Sequence, residues 1–263
     1  MTVYDSKTQM TVKMQMTDAS TSRPKVTFVV PCYNEAANIS AVIVEIGAAA
    51  AASGVATYEI NIVDDCSTDD SAKIVAAQAI EKSYIKLIRN QKNMGFGGAY
   101  KEGVKAATGI YVIMVPGDNA HPRSSLIPIL RKAGEADIII PYVTNPQTRS
   151  WRRRVVSLAF TSLMNTLFRL NVPYFNGTVL HKTDLLRSIE IQTNSFAYQA
   201  EALIRLIQGG ATYASVGVEI EEPHNKATTA FRPRNIYRVV HTIFNLWRVV
   251  GTNRRPSPLS IET

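Results

Sequence analysis

Cysteine is scarce: Cys32 and Cys66 are the only two in 263 residues. That is too few for a disulfide framework, so the fold has to rest on a packed core. Both follow strand-like segments and read as small buried fillers. No apolar run approaches the roughly 18 residues that a membrane-crossing helix needs. The first residues carry no apolar signal core, so secretion is not expected. Glycine and proline are ordinary, at 14 and 12 residues, which excludes collagen-like and low-complexity chains. The four histidines are scattered, and no His/Cys cluster has metal-ligand spacing. No Ser-His-Asp triad can be placed. Zinc-finger spacing and RNP-type aromatic motifs are missing too, so no nucleic-acid partner is expected. Acidic residues are outnumbered: 29 Lys plus Arg face 21 Asp plus Glu, a net charge of +8. A basic balance favours a polyanion, an anionic membrane surface or a phosphorylated substrate, without choosing among them.

Residues 1–24 are polar, rich in Ser and Thr, and aperiodic, and read as a flexible tail. From Val26 the pattern changes. Val26–Val30, stopped by Pro31, is a buried-type strand; Glu35–Ala52 repeats apolar residues at helical spacing. Strands over Tyr58–Val63, Ile85–Ile88, Ile110–Val115 and Asp137–Ile140 then alternate with helices over Asp69–Ile80, Gly97–Ala107 and Ser124–Lys132. Such alternation predicts an α/β fold, a Rossmann-like, mostly parallel central sheet with helices on both faces. Right-handed crossovers place every strand's carboxyl end on one edge, where open α/β sheets bind ligands. The second half is less regular. It has a long helix from the arginines near Arg152 to Arg169, a strand or loop over Tyr174–His181, a helix over Phe196–Gln208, a strand over Thr212–Glu219 and a helix over Asn235–Val250. The expected division is the tail 1–24, one domain over 25–235, and an amphipathic helix with its tail over 236–263.

The chemistry belongs to the loops after the strands. Asp64 and Asp65 end one strand, with Ser67, Asp69 and Asp70 close behind. Adjacent carboxylates at a buried strand end need donors or a cation. Asp65 is read as a ligand residue, for a base or a ribose hydroxyl. Ser67 and Asp69 are equally well read as helix caps. Pro116-Gly117-Asp118-Asn119 ends another strand. Asp118 and Asn119 suit Mg²⁺ or Mn²⁺ if a diphosphate supplies further oxygens, or else form a Pro-Gly turn that caps a helix. The Gly-rich stretch Asn93–Gly98 precedes a helix and offers backbone N–H groups to a phosphate. It is neither a Walker loop nor a dinucleotide fingerprint.

Residues 141–187 carry seven basic side chains (Arg149, Arg152, Arg153, Arg154, Arg169, Lys182, Arg187) against one acid, Asp184, a net +6. Arginines suit phosphate oxygens, and cations at a helix start oppose its dipole, which favours a partner anion. The helix after them is apolar over a wide arc, as is the one over Ile236–Trp247 beside Arg232, Arg234, Arg238 and Arg248. Each is either a membrane-interface helix or one packed on the sheet.

Val29-Val30-Pro31-Cys32-Tyr33-Asn34-Glu35, then Val63–Asp69, then Asn90–Gly98, resemble the nucleotide-binding half of family-two inverting glycosyltransferases of the GT-A fold. Asn176-Gly177 and Ser195–Glu201, with Thr228–Asn235 late in the chain, resemble the dolichyl- and polyprenyl-phosphate sugar transferases. The resemblance implies a UDP- or GDP-sugar donor held by Pro31, Tyr33, Glu35, Asp65, Gly95 and Asp118. It implies a divalent metal at Asp118 and Asn119, and catalytic roles for Asp118, Arg152 and Glu201, the last as base or orienting group. It implies an acceptor phosphate at Arg152, Arg153, Arg154, Arg232 and Arg234. Where the family's metal motif has its first Asp, this chain has Pro116. The expected activity is inverting transfer of a sugar to a polyprenyl phosphate, peripherally at the cytoplasmic face of an anionic membrane, with a membrane-anchored partner or a homo-oligomer allowed. The alternatives are a cytoplasmic transferase for a soluble or saccharide acceptor, and a non-catalytic nucleotide-sugar-binding protein.

Overall fold

The computed structural model describes residues 25–119, 122–194, 197–220, 243–244 and 247–248. Seven strands form one sheet: β1 (Val26–Cys32), β2 (Tyr58–Asp64), β3 (Ile85–Arg89), β4 (Tyr111–Met114), β5 (Ile138–Val143), β6 (Leu180–Lys182) and β7 (Tyr213–Val218). Their order across the sheet is β3-β2-β1-β4-β6-β5-β7. All neighbours run parallel except β6, which is antiparallel to both β4 and β5. The sheet is thus mixed but mostly parallel. Six carboxyl ends share one edge, and the chain enters β6 from that same edge.

Side chains alternate across the strands and build a core on each face. Phe28, Val30, Ile60, Ile62 and Ile113 face α1 (Ile39–Ser53) and α4 (Arg123–Arg131), with Val75 of α2 (Ser71–Glu81). Val29, Val63, Val112 and Ile138 face the other layer, formed by α3 (Phe96–Lys105), α5 (Trp151–Phe168) and α7 (Tyr198–Gln208). Burial of this kind, at about 25 cal/mol per Å² of apolar surface, is the main favourable term holding the layers together.

Pro31 does not stop β1, nor does Pro141, just past the strand expected over Asp137–Ile140, stop β5. β1 runs through Pro31 to Cys32, and β5 through Pro141 to Val143. Val29 and Pro31 present their carbonyls to the β4 side, accepting from the Val115 and Gly117 N–H groups. By the same alternation Pro141 points toward β6. The β1–β4 ladder ends at Val29↔Met114 and the β5–β6 ladder at Ile139↔Leu180. Each proline therefore lacks an N–H where no partner strand remains, which is where a sheet tolerates one.

The first helix starts at Ile39 rather than Glu35, because Glu35–Asn38 form a turn whose Glu35 carbonyl accepts from the Asn38 and Ile39 N–H groups. The segment 174–181 is loop until Leu180, and a short helix, α6 (Thr183–Arg187), follows β6. Arg187 donates to the carbonyls of Val104, Lys105 and Ala107, satisfying the end of α3. The tail over 1–24 and most of the expected last helix lie outside the described residues. No helix among the described residues is long and apolar enough to cross a membrane.

Candidate active site

The ends of β1, β2 and β4 and the loop after β3 meet on the sheet's carboxyl edge. The β1 loop is tied to the β2 loop and the start of α2 by several hydrogen bonds. Asn34 N–H donates to Ser67 Oγ (3.0 Å), Glu35 N–H to Ser71 Oγ (2.9 Å) and Ala36 N–H to Asp69 Oδ2 (3.0 Å). Asp69 also accepts from the Ser71 hydroxyl and N–H. The Ser71 hydroxyl bond, with the two backbone donors, holds the Asp69 carboxyl below the ordinary carboxylate range. Ser67 and Asp69 therefore lace two loops together. The β4 loop joins them through Gly117 N–H donating to the Pro31 carbonyl. A Cβ at Gly117 would stand 2.9 Å from that oxygen and 3.5 Å from Glu35 Cγ, so Glu35 flanks the turn that carries Asp118. Tyr33 is about half exposed.

Asp65 is 3% exposed and meets donors from a different loop. Its Oδ1 accepts from Asn90 Nδ2 (2.7 Å) and Met94 N–H (2.8 Å), and its Oδ2 from Gly95 N–H (2.8 Å). The carboxylate thus shapes the Gly-rich loop itself. Asp64 accepts from Ser67 N–H and pairs with Arg89 at 3.3 Å. Three of the four non-glycine residues with left-handed backbone among the described residues lie on this edge: Asn34, Cys66 and Asn119. Strained backbone of this kind clusters at functional sites. Cys66 is half-buried, its thiol donating to the Asn90 carbonyl. Cys32 is buried, and that burial pushes its thiol up to about 11, the mark of an inert filler.

Asp118 is half-buried and Asn119 exposed at the end of β4. Among the described residues no three His, Cys, Asp or Glu side chains gather as a metal cage. One carboxylate and one amide at a strand end fit a hard cation only when substrate oxygens complete its shell, as Mg²⁺ and Mn²⁺ sites on diphosphates do. Glu201 is 1% exposed in the first turn of α7, and its oxygens accept from Gln192 N–H, Thr193 N–H and Arg205. Arg152 and Arg154 are exposed and Arg153 half-buried at the start of α5, with Arg152 over the Trp151 ring. Arg232 and Arg234 lie outside the described residues.

One arginine that the motif reading left out is better placed. Arg149 is half-buried between β5 and α5; its Nη1 donates to Tyr174 Oη (2.8 Å), and its Nε is buried without a partner. Tyr174 lies in the loop entering β6, on the same edge. The available signal was the run of arginines, in which Arg149 stands alone before the helix.

The sequence profile of glycosyl transferase family 2 matches residues 27–192. Mannosyl-3-phosphoglycerate synthase from Rubrobacter xylanophilus superimposes with a TM-score of 0.65 at 17% identity, covering 91% of this chain and 79% of that one. Glucosyl-3-phosphoglycerate synthase from Mycobacterium tuberculosis, in complex with Mn²⁺, UDP and phosphoglyceric acid, gives 0.61 at 19%, covering 86% and 79%. The same enzyme with Mg²⁺ and UDP gives 0.62 at 17%, covering 90% and 88%. At such identities the likeness is one of fold. These neighbours correct the expected kinship with dolichyl- and polyprenyl-phosphate sugar transferases, because they are synthases acting on a small phosphorylated acid. The polyprenyl-phosphate acceptor, the anionic membrane surface and the membrane-anchored partner fall with it. A lipid phosphate and a small phosphate show arginine the same anion, and the apolar arc of α5 is partly core: Met164 and Phe168 are buried and Phe160 and Leu167 pack against them.

Proposed function

The chain belongs to glycosyl transferase family 2, and on that premise we propose that it moves a sugar, with inversion, from a nucleoside-diphosphate sugar to a soluble anionic acceptor of the phosphorylated-acid type, in the cytoplasm. The observation that carries the reading is the meeting, on one sheet edge, of the Asp65-held Gly-rich loop, the Asp118 turn and the half-buried Arg149.

Pro31, Tyr33, Glu35 and Asp65 surround the base and ribose. Asp65 does this by fixing the backbone of Met94 and Gly95. The expected offer of Gly-rich-loop N–H groups to a phosphate is not kept at Met94, Gly95 and Gly97, whose N–H groups are taken by Asp65 and the Asn194 carbonyl; the loop instead walls the donor site with a fixed backbone. Asp118 and Asn119 hold the Mg²⁺ or Mn²⁺ that relatives carry with UDP; the ion's chemistry is to offset charge on the departing diphosphate. Arg149, oriented by Tyr174, takes the acceptor's anion and directs its hydroxyl at the anomeric carbon, opposite the diphosphate; the acceptor oxygen–carbon bond forms as the carbon–diphosphate bond breaks, the nucleoside diphosphate departs, and the hydroxyl proton passes to the acceptor's own phosphate or to water. Arg152, Arg153 and Arg154 add positive potential beside it. Holding both substrates in line supplies most of the acceleration that positioning can give.

The test is turnover of a panel of UDP- and GDP-sugars with Mn²⁺ and soluble phosphorylated acids, read as nucleoside diphosphate released and product mass. Transfer to a soluble acceptor is expected, with Asp118→Ala losing about 100-fold or more in kcat while its melting temperature holds. Failure of every nucleotide sugar to bind, or equal turnover by Asp118→Ala, overturns the reading.

A further inference from the structure

Glu201 is a buried acid at the expected catalytic edge, which invites the role of general base. Its surroundings do not serve that role. A base needs a lone pair within reach of the acceptor's proton. Glu201 Oε1 accepts from Gln192 N–H (3.0 Å) and Arg205 Nε (2.9 Å), and Oε2 from Thr193 N–H (3.0 Å). Both oxygens are engaged by donors that belong to the fold.

Those donors lead back to the donor-sugar loop. Gln192 and Thr193 lie in the segment 191–194. Lys101 of α3 fixes its first carbonyl, donating to Ile191 O at 3.0 Å. The Asn194 carbonyl accepts from Gly97 N–H at 3.1 Å. The fit there is close: a Cβ on Gly97 would stand 2.9 Å from the Asn194 carbonyl carbon and 3.0 Å from its oxygen, both backbone atoms. Gly97 follows Gly95 by two residues, and Gly95 N–H is held by Asp65. The Gly-rich loop is therefore held by two buried carboxylates, Asp65 acting on it directly and Glu201 through the segment 191–194.

We infer that Glu201 is a positioning residue that sets the Gly-rich loop as a wall of the nucleotide-sugar site, and that the pair Asp65 and Glu201 clamps that loop, one directly and one through the segment 191–194. The inference rests on the proposed nucleotide-sugar reading. The clamp removes loop freedom before the donor arrives, so loosening it weakens donor binding more than it slows transfer. In Glu201→Gln one oxygen remains and an amide N–H₂ faces a backbone N–H, so a buried donor loses its partner.

Calorimetric titration of the full chain with UDP and with GDP, in Mn²⁺, tests this beside turnover at saturating donor sugar. Glu201→Gln is expected to raise the Kd of the nucleotide that wild type binds by about 10-fold or more, an effect of about 1.4 kcal/mol. Its kcat falls less than its affinity, and both limbs of the pH–rate profile stay in place. Gly97→Ala reproduces the binding defect with the carboxylate intact, and Glu201→Asp, which keeps the charge, recovers part of the affinity. Unchanged Kd in Glu201→Gln and Gly97→Ala overturns the clamp while the donor reading stands. Loss of kcat by three orders of magnitude or more with unchanged Kd and a missing acid limb also overturns it and makes Glu201 the base. Wild type that binds neither nucleotide overturns the donor reading, and the clamp with it.

Discussion

His181 lies on β6 with no solvent exposure, between β4 and β5 and beneath α7. Its Nε2 is 3.0 Å from the Gln199 amide, and its Nδ1 is buried without a partner. With the amide donating, the ring proton sits on Nδ1, and a second proton would leave a charge in a dry site. Burial accordingly lowers its pKa from 6.5 to about 3. Between those values the unfolded chain takes up a proton that the native ring refuses, so stability is lost as pH falls through the window. The slope approaches about 1.4 kcal/mol per pH unit, or about 2 kcal/mol between pH 7 and 5. The carboxylates with lowered pKa values do not act there. Burial would raise Asp137, but the Thr212 N–H and hydroxyl and then Lys182 outweigh it; for Glu59, Thr27, Thr108 and Lys25 outweigh burial likewise. Their contributions are present above the ordinary carboxylate values of 3.8 and 4.5 and are lost only as pH falls below them, beneath the pH 7 to 5 window. Urea unfolding at pH 7, 6 and 5 should show the wild-type loss, and His181→Gln should lose less than half as much. Parallel stability profiles would remove the assignment.

At the scale of elements, α3 packs across β1 and β2. Asn61, buried inside β2, donates to the Gly103 carbonyl at 3.2 Å and draws the helix down. A Cβ at Gly103 would collide with Val29 Cγ1 and stand 3.1 Å from Val63 Cγ2. Gly103→Ala should therefore cost about 1–3 kcal/mol by overpacking, lowering the melting temperature by roughly 2–4 °C per kcal/mol. Val29→Ala opens that space, so the double variant should melt above Gly103→Ala alone, as coupled neighbours do. Additive losses would show that α3 does not rest on Val29. The sequence makes most strands and helices of the first half and the loops after its strands readable, because hydrophobic period is a local signal, whereas proline does not mark the ends of β1 and β5. It does not reveal what each loop carboxylate touches. Asp65 finds its donors 25 to 30 residues away at Asn90, Met94 and Gly95, and Glu201 turns to its own upstream backbone. Arg187 counts as positive charge in the sequence but spends it on the end of α3. Such pairings are set by tertiary contact, and no spacing rule encodes them.

At the scale of the whole molecule, charge divides with the fold. Residues 26–140, which supply the donor side, hold ten basic residues against twelve acidic, a net −2, whereas 141–187 carry a net +6. Three of those seven basic residues stand apart from the site. Arg187 closes α3, Lys182 pairs with Asp137 at 3.6 Å, and Arg169 ends α5, an 18-residue helix and so about 27 Å long. Arg149, Arg152, Arg153 and Arg154 remain together where the chain leaves β5, on the carboxyl edge. On the proposed reading, an anionic acceptor approaching that corner would meet a positive field, whereas the donor's own cradle is nearly neutral. Fields of this kind are screened once the Debye length, about 10 Å at 0.1 M salt, falls below the distance over which they act. Raising NaCl from 50 to 300 mM should therefore raise the acceptor KM several-fold, leave kcat unchanged, and move the donor KM much less. Arg149→Gln should raise the acceptor KM at low salt and flatten its salt dependence, since the variant loses the half-buried charge that salt would otherwise screen. Equal salt sensitivity of donor and acceptor would mean that the basic corner faces something other than the acceptor, and Arg149 would then be a brace for Tyr174 alone.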